Sequence, residues 1–332
     1  MRFLALLARA GLTFVLTLAV IDAAVRAFFP ALPRLGASFS AAYLHRSVSS
    51  VDRTDIVLLG DSVLWGYRLA AAKSAASLLT KRGIPVVNLS FEGGSMANTF
   101  ALLKLMETNG VHPRAVVFNV NVKEFNPADS AYNMLYPALE RSVWSSLSAA
   151  QQARLKRTQT TTTFDARVDA WLSGVWALYG MRSDVRELLF GQTDAVTAVK
   201  AVVNRLSGEA ALAEAAHVPG PDRFLGTYDL APLDDTNVEV AFLRDTVAEL
   251  RRMHVPALAI LTPANHTLLH DYIDVPEYDG QLRYITEILQ RGGVRVADYD
   301  RAFPSSDFID NDHLTAAGNL KLAHLLAYDL SR

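Results

Sequence analysis

Ile56-Val57-Leu58-Leu59-Gly60-Asp61-Ser62 places four consecutive apolar residues directly before a glycine and two short polar side chains. A bounded run of this length is too short for a helix and reads as a strand buried on both faces, the kind found in parallel sheets. Ser62 then stands where that strand turns into the next helix. In open α/β folds, ligand sites lie at this carboxyl edge of the sheet. The plainer reading is that Asp61 and Ser62 only cap the following helix.

Four further apolar runs bounded by turn residues read as strands: Pro85–Phe91, Ala115–Asn121, Ala257–Thr262 and Val294–Tyr299. With Ile56–Gly60 they alternate with helical spacings at Ala70–Arg82, Met96–Asn109, Val238–Met253, Asp279–Arg291 and Ala316–Leu330. Such alternation predicts an α/β fold, a parallel sheet covered on both faces by helices. The gap between the third and fourth strands is far longer than one crossover helix needs. Residues from about 129 to 235 are therefore expected to form a mainly helical insertion. Phe164, Val168, Trp171, Leu172, Val175, Leu178 and Tyr179, and then Val185, Leu188 and Leu189, follow helical spacing within it. The commoner fate of such a stripe is to pack a satellite core.

Near the other end of the chain stands Asp310-Asn311-Asp312-His313. A serine hydroxyl is a weak nucleophile until a neighbouring base takes its proton, and the base needs a third group to fix its tautomer. His313 suits the first role. Asp310, three residues earlier, can meet it on one helical turn, whereas Asp312 at the preceding position points elsewhere. Ser62, Asp310 and His313 are thus the expected catalytic set.

Length and composition bound the rest. The chain has 332 residues, of which 51% are hydrophobic, so one large domain or two small ones can be built. Its formal net charge is −2 and its charges are interspersed, which argues against a nucleic-acid partner. With no cysteine, a thiolate nucleophile, a disulfide scaffold and a cysteine-based zinc site are all excluded. His266 and His270 have the i, i+4 spacing of a helical metal pair, but no glutamate follows the first as in zinc proteases, so a structural or substrate-lining role is the simpler expectation. No cofactor or metal is called for.

Residues 1–30 read as a signal anchor. Arg2 precedes an apolar segment from Phe3 to Phe29 that is broken by Arg9, Asp22 and Arg26. About twenty mostly apolar residues span a bilayer, and Arg2 and Arg9 mark the cytoplasmic end. A cleaved signal peptide and a buried amphipathic helix are the competing readings. Residues 31–51 read as a connector and 52–332 as the main domain. The anchor reading places that domain outside the cytoplasmic membrane.

Together, Gly60-Asp61-Ser62, Asn88-Leu89-Ser90-Phe91-Glu92-Gly93-Gly94 and the Asp310/His313 pair resemble the SGNH (GDSL-type) hydrolase superfamily over about residues 52–127 and 255–330. The resemblance implies a three-layer, flavodoxin-like parallel sheet and ester chemistry through an acyl-serine intermediate, without a cofactor. It also implies an oxyanion hole from the backbone N–H groups of Ser62 and Gly93 plus a side-chain amide. The third block departs from the family's Gly-x-Asn-Asp: here it is Phe118-Asn119-Val120-Asn121-Val122-Lys123-Glu124. Asn121 is the chemical candidate for the amide donor, with Asn119 second, and strand counting puts Lys123 near the position. An ordinary strand-end asparagine is the alternative. Trp65, Glu92 and His266 are expected to line the substrate pocket.

Anchor and domain together look like the SGNH proteins of cell-envelope modification, such as alginate O-acetylation and lipoteichoic-acid D-alanylation proteins. That likeness implies an O-acyltransferase or esterase acting on acyl, chiefly acetyl, esters of an envelope glycan or related polymer beside a membrane-bound O-acyltransferase partner. A lipase-like esterase or thioesterase, and a non-catalytic accessory subunit that binds the polymer or the membrane partner, are the alternatives.

Overall fold

A computed structural model describes residues 2–28, 35, 39, 41–127, 134–155, 168, 172, 176, 179, 221–224 and 226–332. Five parallel strands form one sheet in the order β2-β1-β3-β4-β5. They are β1 (Ile56–Leu59), β2 (Val86–Asn88), β3 (Ala115–Val120), β4 (Ala257–Leu261) and β5 (Arg295–Asp298). The strand order reverses between β1 and β3, the topological switch point at which doubly wound sheets open a crevice. The flavodoxin-like arrangement expected from sequence is therefore present, with strands one to four residues shorter than their apolar runs.

Alternate side chains along each strand feed opposite faces. On one face Val57, Leu59, Val116, Phe118, Val120, Ala259 and Leu261 join a core with helices α2 (Ala41–Ser49), α5 (Met96–Thr108), α6 (Pro137–Val143), α8 (Val238–Met253) and α10 (Pro276–Arg291). On the other, Ile56, Leu58, Val117, Leu258 and Ile260 pack with α4 (Ala75–Lys81) and α11 (Ala316–Leu330). Three short or peripheral helices, α3 (Ser62–Trp65), α7 (Ala149–Arg154) and α9 (His266–Ile273), lie between these. The predicted helix over 70–82 is divided, because Ser74 leaves the helical region and caps α4 through its hydroxyl. Helix α10 starts three residues earlier than predicted, with Pro276 at its first turn, where the missing N–H leaves nothing unpaired.

One expectation is corrected. Residues 31–51 are more than a connector: Leu35, Phe39, Tyr43, Leu44 and Val48 are buried in the first core, and Phe39 stacks on Tyr136 with ring centroids 4.2 Å apart. Helix α1 runs Arg2–Phe28. Among the described residues no helix is long and apolar enough to cross a membrane.

Of the expected insertion, the described parts include α6, α7 and residues 221–224 and 226–235. The predicted helical stripes over 164–179 and 185–189 lie outside the described residues, apart from Val168, Leu172 and Tyr179. There the Trp176 N–H donates to the Leu172 carbonyl at 2.9 Å, a helical spacing, and Trp176 stacks on Tyr179.

Candidate active site

The turn after β1 is built around a glycine that no other residue could replace without movement. Gly60 has φ +136°, and a Cβ there would lie 1.8 Å from the Asn119 side-chain oxygen. Leaving the strand this way lets Asp61 cap α3, its carboxylate accepting the Val63 N–H at 2.8 Å. Ser62 is thereby the first residue of α3. Gly66 closes that helix after one turn in the left-handed conformation.

Ser62 Oγ lies 2.8 Å from His313 Nε2. On the far side of the ring, His313 Nδ1 lies 2.8 and 2.9 Å from the two carboxylate oxygens of Asp310. The same carboxylate accepts the backbone N–H of His313 at 3.0 Å, so it fixes both the loop and the ring. With Nδ1–H held by Asp310, Nε2 is left as the acceptor for the serine proton. The structure thus brings the three predicted side chains together across 251 residues of sequence.

Electrostatics favour the imidazolium that forms when His313 takes the serine proton. Burial works against a charged imidazole, but the Asp312 carboxylate and the hydrogen bond and charge of Asp310 outweigh it, and the His313 pKa is raised above its ordinary value. Burial likewise opposes ionisation of Asp310, and the His313 hydrogen bond and charge overcome it, leaving the Asp310 carboxyl below the usual range. Tyr67 packs its ring on His313 with centroids 4.2 Å apart, a contact that nothing in the sequence pattern announced.

Asn121 and Asn119, the candidate oxyanion amides, are both otherwise engaged, which corrects the expectation. Asn121 Nδ2 donates to Asp61 at 3.1 Å and to Asp312 at 2.8 Å. Asn119 Nδ2 donates to Asp61 at 2.8 Å and to the Thr262 hydroxyl at 2.9 Å. An amide nitrogen carries two hydrogens, so neither has one left for a reacting oxygen. Their role here is to hold the carboxylates under the serine turn. Lys123 Nζ joins them by an ion pair with Asp312, which is 1% exposed. Burial disfavours the charge on Asp312, while Lys123 and His313 favour it and prevail, so its pKa is lowered.

The backbone donors are differently placed. No acceptor among the described residues takes the N–H of Ser62 or of Gly93. The loop carrying Gly93 is pressed against the serine turn: Phe91 N–H donates to the Gly60 carbonyl at 3.2 Å, and a Cβ on Gly94 would lie 2.3 Å from that same carbonyl oxygen. Gly94 N–H is committed to the Phe91 carbonyl, and Gly93 itself takes φ +75° in the turn.

Of the three expected lining residues, Glu92 is exposed beside this loop. Trp65 is not at the surface: it is 1% exposed and its indole N–H donates to the Leu35 carbonyl, so it is a packing residue. His266 is held between Asp274 (2.6 Å) and Asp300 (2.8 Å) and faces these carboxylates. His270 is exposed and pairs with Asp271, so the i, i+4 pair does not converge. Among the described residues the group whose ligand atoms do converge is Asp310, Asp312 and His313. In that group, the Lys123 ammonium already balances the Asp312 charge.

A family model for an uncharacterised domain matches residues 235–331. No curated protein matches the chain. Among solved structures the chain is similar to a protein assigned to the G-D-S-L lipolytic family from Desulfitobacterium hafniense, at 10% identity and a TM-score of 0.40, covering 83% of this chain and 98% of that one. It is similar to a protein assigned as an acylhydrolase from Bacteroides fragilis, at 9% identity and a TM-score of 0.41, covering 86% and 93%. A third likeness is to an active-site mutant of a family two carbohydrate esterase from Clostridium thermocellum, at 10% identity and a TM-score of 0.35, covering 85% and 64%.

Proposed function

We propose that the chain is a serine esterase or O-acyltransferase that works through an acyl-Ser62 intermediate. The observation that carries this reading is the continuous chain of contacts from Ser62 Oγ through His313 to Asp310. In the first half-reaction Ser62 Oγ attacks an ester carbonyl and its proton passes to His313 Nε2. The oxygen that becomes negative is received by the Ser62 and Gly93 N–H groups. Removing one such donor typically costs ~10²–10³ in turnover. Collapse breaks the ester C–O bond, His313 returns the proton to the leaving alcohol, and the acyl group remains on Ser62. Water or an acceptor hydroxyl then attacks, giving its proton to Nε2 in turn.

The substrate class is an acyl ester, chiefly acetyl, of an envelope glycan or related polymer, with a membrane-bound O-acyltransferase as partner. This follows the sequence resemblance to envelope-modifying proteins. We place the domain on the outer side of the cytoplasmic membrane, tethered through α1. The exposed apolar side chains Leu12, Phe14, Val15, Leu16 and Val20 support a tether in lipid.

Mass spectrometry of the full chain after brief exposure to 4-nitrophenyl acetate tests the chemistry. An acetyl adduct on Ser62, absent in Ser62→Ala, is expected, and its faster loss when an oligosaccharide acceptor is added marks the transferase over the hydrolase. A wild type that shows neither an adduct nor Ser62-dependent turnover sinks the acyl-serine reading. An inactive alkaline phosphatase fusion at the C-terminus sinks the placement outside the membrane.

A further inference from the structure

A second cavity lies between the loop after β3 and the start of α8. It is lined on one side by Glu124, Phe125, Asn126 and Pro127 and on the other by residues from Asp229 to Glu239. Ser62 and His313 are not part of it. Its volume is about 210 Å³. At ~30 Å³ per water this is room for ~7 waters, or for a small organic molecule.

The lining is one-sided in chemistry. Glu124, Asp229, Asp234 and Glu239 bring four carboxyl groups, and among the described residues no lysine, arginine or histidine lines the cavity. Donors that line it are turned into the protein. Asn126 Nδ2 donates to the carbonyls of Gly226 and Thr227 at 2.7 and 3.1 Å, and Asn237 Nδ2 to that of Phe125 at 2.8 Å. Thr236 Oγ1 donates to Asp234 at 2.6 Å. Among the described residues these side-chain donors are thus committed within the protein.

Glu124 decides the matter. It is 1% exposed, and among the described residues neither of its carboxyl oxygens has a hydrogen-bond partner. Glu239 is equally buried. Its Oε2 takes the Ala97 N–H at 3.1 Å, while its Oε1 has no partner. Buried polar groups in folded proteins are paired, so orphaned oxygens beside a cavity point to an occupant that donates. A divalent metal would need several ligand atoms converging on one point. Among the described residues the cavity's carboxylates do not converge in that way.

We propose that this cavity binds a small organic ammonium, a primary amine or short diamine whose N–H groups satisfy Glu124 and Glu239 and whose chain extends toward the exposed Asp234. The charge balance of the surroundings fits. Burial raises the Glu124 pKa most, Asp61, Glu239 and Asp312 raise it further, and Lys123 alone among these neighbours lowers it. Burial also pushes the Glu239 carboxyl up to about 8, against the Ala97 N–H that its Oε2 accepts. Empty, the buried carboxyls of Glu124 and Glu239 are thus biased toward their protonated forms. An ammonium favours the ionised forms, so binding releases protons and tightens as pH rises.

Isothermal titration calorimetry of the full chain in detergent, with 1,4-diaminobutane as probe, tests this. A saturable heat is expected for the diamine and none for 1,4-butanediol, with tighter binding at pH 8 than at pH 5.5. Loss of one charge-assisted contact in Glu124→Gln should weaken binding about tenfold or more. Asp234→Asn, at an exposed position where the amide keeps the turn, should weaken it roughly two- to threefold. No saturable heat with the diamine, equal heat with the diol, or preferential saturation by magnesium or calcium chloride overturns the proposal. So does unchanged affinity in Glu124→Gln or, if that variant does not fold, in Asp234→Asn. These heats need no turnover at Ser62, so failure of the acyl-serine reading leaves them unaffected.

Discussion

Asn121 donates its side-chain amide to the Oδ2 of Asp312 at 2.8 Å and so fastens the end of β3 to the histidine loop. Its second amide hydrogen goes to Asp61, the residue that caps the serine helix. One buried asparagine thus spaces the nucleophile's turn and the base's loop. In Asn121→Ala two buried carboxylates each lose a donor, and stability should fall by about 1–3 kcal/mol. Urea unfolding of the variant reads this directly. A midpoint equal to that of the wild type would mean that the bridge contributes nothing.

The same cluster sets the pH response of the base. His313 must be neutral to accept the serine proton, and although burial opposes its charge, the Asp312 carboxylate and the hydrogen bond and charge of Asp310 hold its pKa above the ordinary histidine value. Activity should therefore rise with pH along a limb placed above the usual histidine range. Asp312→Asn removes the largest favourable charge and should move that limb to lower pH. Lys123→Met removes a cation that lowers the His313 pKa and should move it higher. A pH profile of kcat/KM for the two variants measures both directions, and shifts of the same sign would contradict the assignment.

Gly94 is where the second loop touches the serine turn. A methyl group there would sit 2.3 Å from the Gly60 carbonyl oxygen and 3.2 Å from the Asp61 Cα, both backbone atoms that no rotamer change can clear. Gly94→Ala should cost about 1–3 kcal/mol through forced backbone movement. It should also displace Gly93, lowering kcat for the acetyl ester more than it raises KM, because the N–H in question is used in the transition state. Steady-state kinetics beside a thermal melt separates the two effects.

Much of this was legible in the sequence because it is local. The strand runs, the caps and the Asp310/His313 spacing each depend on a few neighbouring residues, whereas the sheet order and the pairing of Ser62 with His313 are expected only from the family resemblance and the chemistry of the residue types. The fate of Asn121 was not legible. Residue type made it a fitting oxyanion donor, but its two hydrogens are claimed by Asp61 and Asp312, which lie 60 and 191 residues away. Trp65 is the same kind of case: its neighbour Leu35 belongs to a stretch that read as a connector. The Thr262 hydroxyl beneath Asn119 could have been suspected, since a polar residue at the end of an apolar strand usually meets something polar.

His266 illustrates a role that only the packing defines. Its two ring nitrogens face Asp274 and Asp300, and Arg301 also pairs with Asp274. The preceding residue, Asn265, donates to the Asp310 carbonyl at 3.0 Å, so this network braces the loop that carries the triad acid. Burial disfavours the imidazolium, but the hydrogen bond and charge of Asp300 prevail and the pKa is raised. A group whose folded pKa lies above its unfolded one adds stability that is full below the unfolded value of 6.5 and is lost as pH rises through the folded value. The wild type should therefore melt well above His266→Gln at pH 5.5, and the gap should narrow by pH 9. Thermal melts at the two pH values test the sign. A gap that widens with pH would show that His266 is held neutral, and the ion-pair account of the loop would fail.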